Sequence, residues 1–135
     1  MKTLLATCRI TIKTGTGILV NSAGLVTVTH TTKPLGAAST AIEIDIWLSG
    51  SKTRYALPYS KAKQVSATRI DASATLTIAN IRWMTVSDTW QATSDGISIT
   101  RTIDVHTQQN PGCGFAHRFV LPVDAAALRQ QCDVF

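Results

Sequence analysis

Few side chains in this sequence have the chemistry to act on a substrate. Histidine occurs at His30, His106 and His117, cysteine at Cys8, Cys113 and Cys132, and there are eight carboxylates. Histidine metal sites are announced by HxH or HExxH spacing, which puts two rings on one side of a strand or helix. None of the three histidines has such a neighbour, and each stands in strand register, so ordinary strand histidines account for them. A thiol nucleophile needs a base and a group to orient that base. Cys113 has His117 four residues on but no visible third member. Glycoside hydrolysis needs two carboxylates across a sugar ring. Of the candidates, Asp95 is explained by a turn, and Asp88 and Asp104 by outward-facing strand positions. Gly15-Thr16-Gly17 and Gly112-Cys113-Gly114 are too short to cradle a phosphate, and no GxSxG or Walker loop occurs. The residues therefore assign no catalytic group, no metal set and no cofactor.

Two other features bear on function. Trp47, Tyr55 and Tyr59 could form a platform on which sugar rings stack, with Trp47 on the polar face of its strand. The structural alternative is that both faces of that sheet are covered, making Trp47 core or interface. Arg101 is the reverse case: a cation in the apolar register of Ile97, Ile99, Ile103 and Val105. A charge there needs a partner or an opening to water, and an ion pair with an aspartate of a neighbouring strand is the expectation.

The elements that would hold these residues read as strands. Residues 83–105 form two β-branched runs around Ser94-Asp95-Gly96. Asp-Gly between such runs signals a hairpin, because both residues tolerate φ > 0. Ile42, Ile44, Ile46 and Leu48 alternate with Glu43, Asp45 and Trp47, and Cys8, Ile10 and Ile12 alternate with Thr7, Arg9 and Thr11. Further strands are expected at 18–20, 25–30, 54–57, 64–69, 75–79 and 115–121, with turns at 21–24, 49–52 and 71–73. Asp124 is a plausible N-cap for a short helix through Gln131. Turn signals recurring every ~8–12 residues indicate an all-β antiparallel sandwich with one short C-terminal helix, in a single domain over residues 1–135.

Composition agrees. Charged residues make up 16% and Glu43 is the only glutamate, while Thr and Ser fill the polar positions, as suits sheets. The formal charge is +5, but the basic residues are scattered, dense only over 52–63, which argues for a solvated loop and against a nucleic-acid surface. Three cysteines without CxxC spacing allow one disulfide with a free thiol or three reduced thiols, and the reduced reading is favoured. The apolar run after Met1-Lys2 stops at Thr7, too short for a signal peptide, and no stretch approaches the ~20 apolar residues of a membrane span. Cys132-Asp133-Val134-Phe135 ends on apolar residues, as would the N-terminal part of a longer protein.

Val86-Ser87-Asp88-Thr89-Trp90, Asp95-Gly96-Ile97-Ser98-Ile99-Thr100-Arg101 and Gly114-Phe115 together resemble the N-terminal β-supersandwich, galactose-mutarotase-like domain of bacterial polysaccharide-degrading enzymes. The resemblance spans residues 81–135. In that family the sandwich precedes a six-hairpin (α/α) toroid carrying the catalytic acids. It implies a non-catalytic domain supporting the substrate cleft of a glycoside hydrolase-like enzyme, with Trp90 and Arg101 structural, a poly- or oligosaccharide substrate, and a periplasmic or extracellular setting. Two other functions fit the residues: an independent carbohydrate-binding module, and a self-assembling coat-type β protein.

Overall fold

The computed structural model describes residues 4–48, 50–106 and 113–120. Within them the chain is all β, in eleven strands: β1 (Cys8–Thr11), β2 (Thr16–Val20), β3 (Val26–His30), β4 (Lys33–Pro34), β5 (Ile42–Leu48), β6 (Ser51–Leu57), β7 (Lys61–Ser66), β8 (Arg69–Ile78), β9 (Ile81–Ala92), β10 (Ile97–Val105) and β11 (Cys113–Phe119). They form three antiparallel sheets, ordered β1-β2-β3-β4, β10-β9-β8-β7 and β11-β5-β6. Strand β1 packs on β7, β8 and β9, and β6 packs on β8. The first and third sheets thus cover the inner face of the second, a sandwich-like arrangement. The expected helix over 124–131, the apolar tail, Cys132 and the loop at 107–112 lie outside the described residues.

Alternation builds this core. Ile42, Ile44 and Ile46 of β5, Ile10 and Cys8 of β1, and Ile70, Ala72, Ala74 and Leu76 of β8 all point into one apolar cluster. Period-two placement of β-branched side chains gives each strand a buried face and a wet one. Residues 71–73, expected as a turn, instead lie inside β8. There Asp71 and Ser73 face outward while Ala72 and Ala74 fill the buried register, and the reversal falls at Ala67-Thr68. Alanine carried the hydrophobic alternation there, and the turn has no glycine or proline to mark it. Strands β6 and β7 begin earlier than expected, at Ser51 and Lys61.

Strand β9 carries a bulge that explains its two consecutive buried residues. Leu76 pairs with Met84 but Thr77 with Arg82, leaving Trp83 as the extra residue. A bulge turns neighbouring side chains to the same side, so Trp83 and Met84 are both buried.

The turn of the long hairpin is built differently from the Asp-Gly expectation. Neither Asp95 nor Gly96 has positive φ. The Thr93 hydroxyl instead accepts from the Asp95 and Gly96 amides at 3.3 and 3.1 Å and donates to the Gly96 carbonyl at 3.0 Å. Two other reversals do use the left-handed region. Ala79-Asn80 joins β8 to β9 at φ 51° and 64°, and Thr31-Thr32 joins β3 to β4 at φ 46° and 69°.

Candidate functional site

The register of the β9–β10 hairpin fixes the fate of Arg101. Ile97 pairs with Ala92, and each later residue of β10 meets an earlier one of β9, so Arg101 stands directly opposite Asp88. Opposed residues of an antiparallel pair point to the same face, and here that face is the interior. Asp88 is 1% exposed, which corrects its reading as an outward-facing strand acid. It is buried because its partner is, and an ion pair is the condition on which a carboxylate enters a core.

The pair is bidentate. Arg101 Nε donates to Asp88 Oδ1 at 2.7 Å and Nη2 to Oδ2 at 2.8 Å. The remaining guanidinium protons reach the third sheet: Nη2 donates to the Ala41 carbonyl at 3.0 Å and Nη1 to that of Arg118 at 3.1 Å. Tyr59, in the link between β6 and β7, donates its hydroxyl to Asp88 Oδ2, and Trp90 Nε1 donates to the Tyr59 oxygen at 3.1 Å. The Phe119 ring closes the assembly, its centroid 5.0 Å from the Arg101 guanidinium and 5.5 Å from the Trp90 ring. Strands β9, β10 and β11, the start of β5 and the β6–β7 link therefore meet at one buried ion pair.

The electrostatics are those of a structural cluster. Burial, then the facing charge of Asp88, pushes the Tyr59 phenol far above its usual range. Burial acts to lower Arg101, but the hydrogen bonds and charge of Asp88 outweigh it and hold the guanidinium above its ordinary value. A phenol that holds its proton and a cation locked to its anion are poorly placed to exchange protons with a substrate. The geometry binds sheets together and leaves no lone pair of Asp88 facing solvent.

Gly24 positions Tyr59. It lies at φ +78° in the Asn21–Gly24 turn, accepts from the Tyr59 amide at 2.9 Å, and leaves no room for a side chain, since a Cβ would stand 2.0 Å from the Tyr59 carbonyl oxygen.

A second charged group lies on the outward face of β5. Asp45 accepts from Arg54 Nε at 2.7 Å and meets Arg118 Nη2 at 3.1 Å. The hydrogen bond from Arg54 leads in holding its carboxyl below the usual range, and Arg118 adds to this. Trp47 stands on the same face, opposite Lys52, and is 38% exposed. The three aromatics of the proposed sugar platform are not brought together. Tyr55 pairs with Ile44 and so points to the inner face, opposite to Trp47, while Tyr59 is 3% exposed and engaged with Asp88. Trp90 and Arg101 are both within the buried network.

On the outer face of the second sheet a shallow depression of about 360 Å³ is lined by Lys61, Lys63, Asp71, Ser73, Ser87 and Thr89. Asp71 is bound by Arg69 at 2.9 Å, which holds its carboxyl low. Asp95 and Asp104 are exposed. His30 sits in β3, His106 Nε2 lies 3.0 Å from the Thr85 hydroxyl, and His117 is exposed on β11. No group of three His, Cys, Asp or Glu that could hold a metal occurs among the described residues. Cys8 is a free thiol, and its burial raises its pKa.

Sequence reasoning anticipated the Arg101 ion pair but not its partner. Counting back from a two-residue Asp95-Gly96 turn would have put Trp90 opposite Arg101, and only the longer loop between Ala92 and Ile97 moves Asp88 there. Nothing in the sequence tied Tyr59 to either. No protein-family model, curated protein or solved structure matches this chain.

Proposed function

We propose that this chain is a non-catalytic β-sandwich domain of a carbohydrate-active, glycoside hydrolase-like enzyme, where it supports the substrate cleft of a catalytic (α/α) toroid domain. One observation carries the reading. The hairpin residues on which the family resemblance rests, Asp88, Trp90 and Arg101, are those that spend their polar groups inward to fasten the sheets together. A domain with that design supplies rigidity and surface and leaves the chemistry to a neighbour. The test has two parts. The reading frame beyond the codon of Phe135 is expected to run on into paired helical hairpins, and the chain itself is expected to release no reducing sugar from neutral or acidic polysaccharides. Hydrolysis by the chain that disappears in Asp88→Asn, with the fold intact by circular dichroism, would overturn the proposal.

A second reading, an independent carbohydrate-binding module, is favoured by one fact: Trp47 presents an exposed ring on a strand face beside Lys52. Stacking of a sugar on one aromatic ring would make it the anchor. Isothermal titration with a panel of glycans distinguishes the two. Saturable binding abolished by Trp47→Ala supports the module, and no heat with any glycan supports the scaffold.

A further inference from the structure

Among the described residues, four of the six sheet-edge strands, β7, β4, β6 and β1, carry features that discourage pairing with another chain. Strand β7 carries Lys61 and Lys63 and a register shift between Gln64 and Ser66. Strand β4 is two residues long and contains Pro34, while β6 carries Lys52 and Arg54 and is followed by Pro58. The Arg9 amide of β1 is taken by the Gln64 side chain at 2.7 Å. Lysine, proline, bulges and short length are the means by which proteins keep edges from pairing with other chains.

Strand β10 has none of these. It is an edge strand of nine residues, Ile-Ser-Ile-Thr-Arg-Thr-Ile-Asp-Val, paired with β9 without a register shift. Its one inward charge, Arg101, is already neutralised by Asp88. Which backbone groups face outward follows from the ladder. Thr93 N donates to Gly96 O and His106 N to Trp83 O, both at 2.7 Å. Hydrogen-bonded and non-hydrogen-bonded pairs alternate along an antiparallel ladder, so the even-numbered residues bond to β9. The N–H and C=O groups of Ile97, Ile99, Arg101, Ile103 and Val105 point the other way, and among the described residues none of them has a partner. Apart from Arg101, the side chains of the same residues form a half-covered apolar row, ending in Val105 at 46% exposure.

From this we infer that β10 is a strand-addition site for a second copy of this chain, joining two sheets antiparallel through their β10 edges. The sequence of β10 can pair with itself in registers that avoid a like-charge clash. With the two-fold axis at Thr102, Ile99 meets Val105 and Arg101 meets Ile103 in the hydrogen-bonded positions, and Thr100 meets Asp104 on the outer face. The neighbouring register centred on Arg101 would set guanidinium against guanidinium, and like charges directly opposite are unfavourable. Main-chain hydrogen bonds supply the affinity in such strand addition, and flanking side chains the specificity. The contact is small, which places the dimer in the weak, reversible class.

Sedimentation equilibrium of the full chain tests this, with Ile103→Pro and Val105→Lys as variants. Proline at 103 removes an amide that points away from β9, and lysine at 105 restores a guard to an already exposed position. The wild-type chain is expected to dimerise at roughly 10–100 µM. Each variant, with unchanged near-ultraviolet circular dichroism, should shift the midpoint at least tenfold toward monomer. Amide exchange should slow at Ile99, Arg101 and Ile103 as concentration rises. A chain that stays monomeric at millimolar concentration overturns the proposal. So does a dimer untouched by both variants, or protection of those amides that does not depend on concentration, which would mean the chain's own residues cover the edge.

Discussion

Replacing Asp88 with asparagine is the sharpest probe of the buried network. The substitution keeps the shape but removes the charge that compensates Arg101, whose side chain is only 10% exposed. Breaking a buried pair by deleting one partner costs about 3–5 kcal/mol, chiefly because the other charge is stranded. Unfolding entropy near 2.1 cal/mol/K per residue gives about 0.28 kcal/mol/K for 135 residues, so the melting temperature should fall by roughly 10–18 °C. Urea unfolding followed by tryptophan fluorescence reads the loss, with Trp90 inside the network as reporter. The double variant Asp88→Leu/Arg101→Met, which leaves no buried charge, should be less damaged than Asp88→Asn. Exchange of a buried pair for apolar groups is often neutral. If Asp88→Asn lies within about 0.5 kcal/mol of the wild type, the range of an ordinary surface change, the ion pair does not hold the sheets together and the reasoning fails.

Three further outcomes follow from the same structure. Gly24→Ala must move the Tyr59 backbone and adopt positive φ, so calorimetry should show a loss of roughly 2–4 kcal/mol, together with altered Trp90 emission. The Thr31-Thr32 turn places two β-branched residues at positive φ, where Asn-Gly is preferred. The double change Thr31→Asn/Thr32→Gly should therefore stabilise the protein by about 1–2 kcal/mol in denaturant titration. Asp45 and Asp71 have folded-state pKa values below their unfolded ones. Their contribution is accordingly present above the unfolded carboxylate pKa near ~3.9 and lost as pH falls through the lower folded values. A stability profile from pH 7 to pH 2 should drop in that acid limb, and Asp45→Asn should flatten it.

The sequence made the strands with strong alternation plain. β5 announced itself through Ile42, Ile44 and Ile46, and β10 through the Ile and Thr alternation around Arg101. Where alanine replaced larger apolar residues, the pattern faded. Residues 71–73 read as a break because Asp and Ser occupy the wet face and Ala72 gives little hydrophobic signal, yet they run through β8. The turn at Ser94-Asp95-Gly96 was located correctly but its mechanism was not, since the Thr93 side chain, not positive φ, closes it. The network was half legible. Arg101 stands out as a cation in an apolar register, but its partner depends on the loop length, since a two-residue turn at Asp95-Gly96 would set it opposite Trp90. Tyr59 could not be foreseen, because its place depends on how a link from the third sheet lies against the turn at Gly24. The same limit undid the aromatic platform. Tyr55 and Trp47 lie on opposite faces by strand parity, whereas the burial of Tyr59 is purely tertiary.

Residues 41, 59, 88, 101 and 118 are spread along the chain, yet they converge on one buried ion pair. The ion pair itself lies within one hairpin, but Tyr59 and the carbonyls of Ala41 and Arg118 reach it from elsewhere, so opening the third sheet leaves buried polar groups unmatched in what remains. Partly opened forms are penalised more heavily than their lost apolar contacts alone would require. The five convergent residues act as a latch on cooperativity, favouring a single concerted transition over stepwise melting of the sheets.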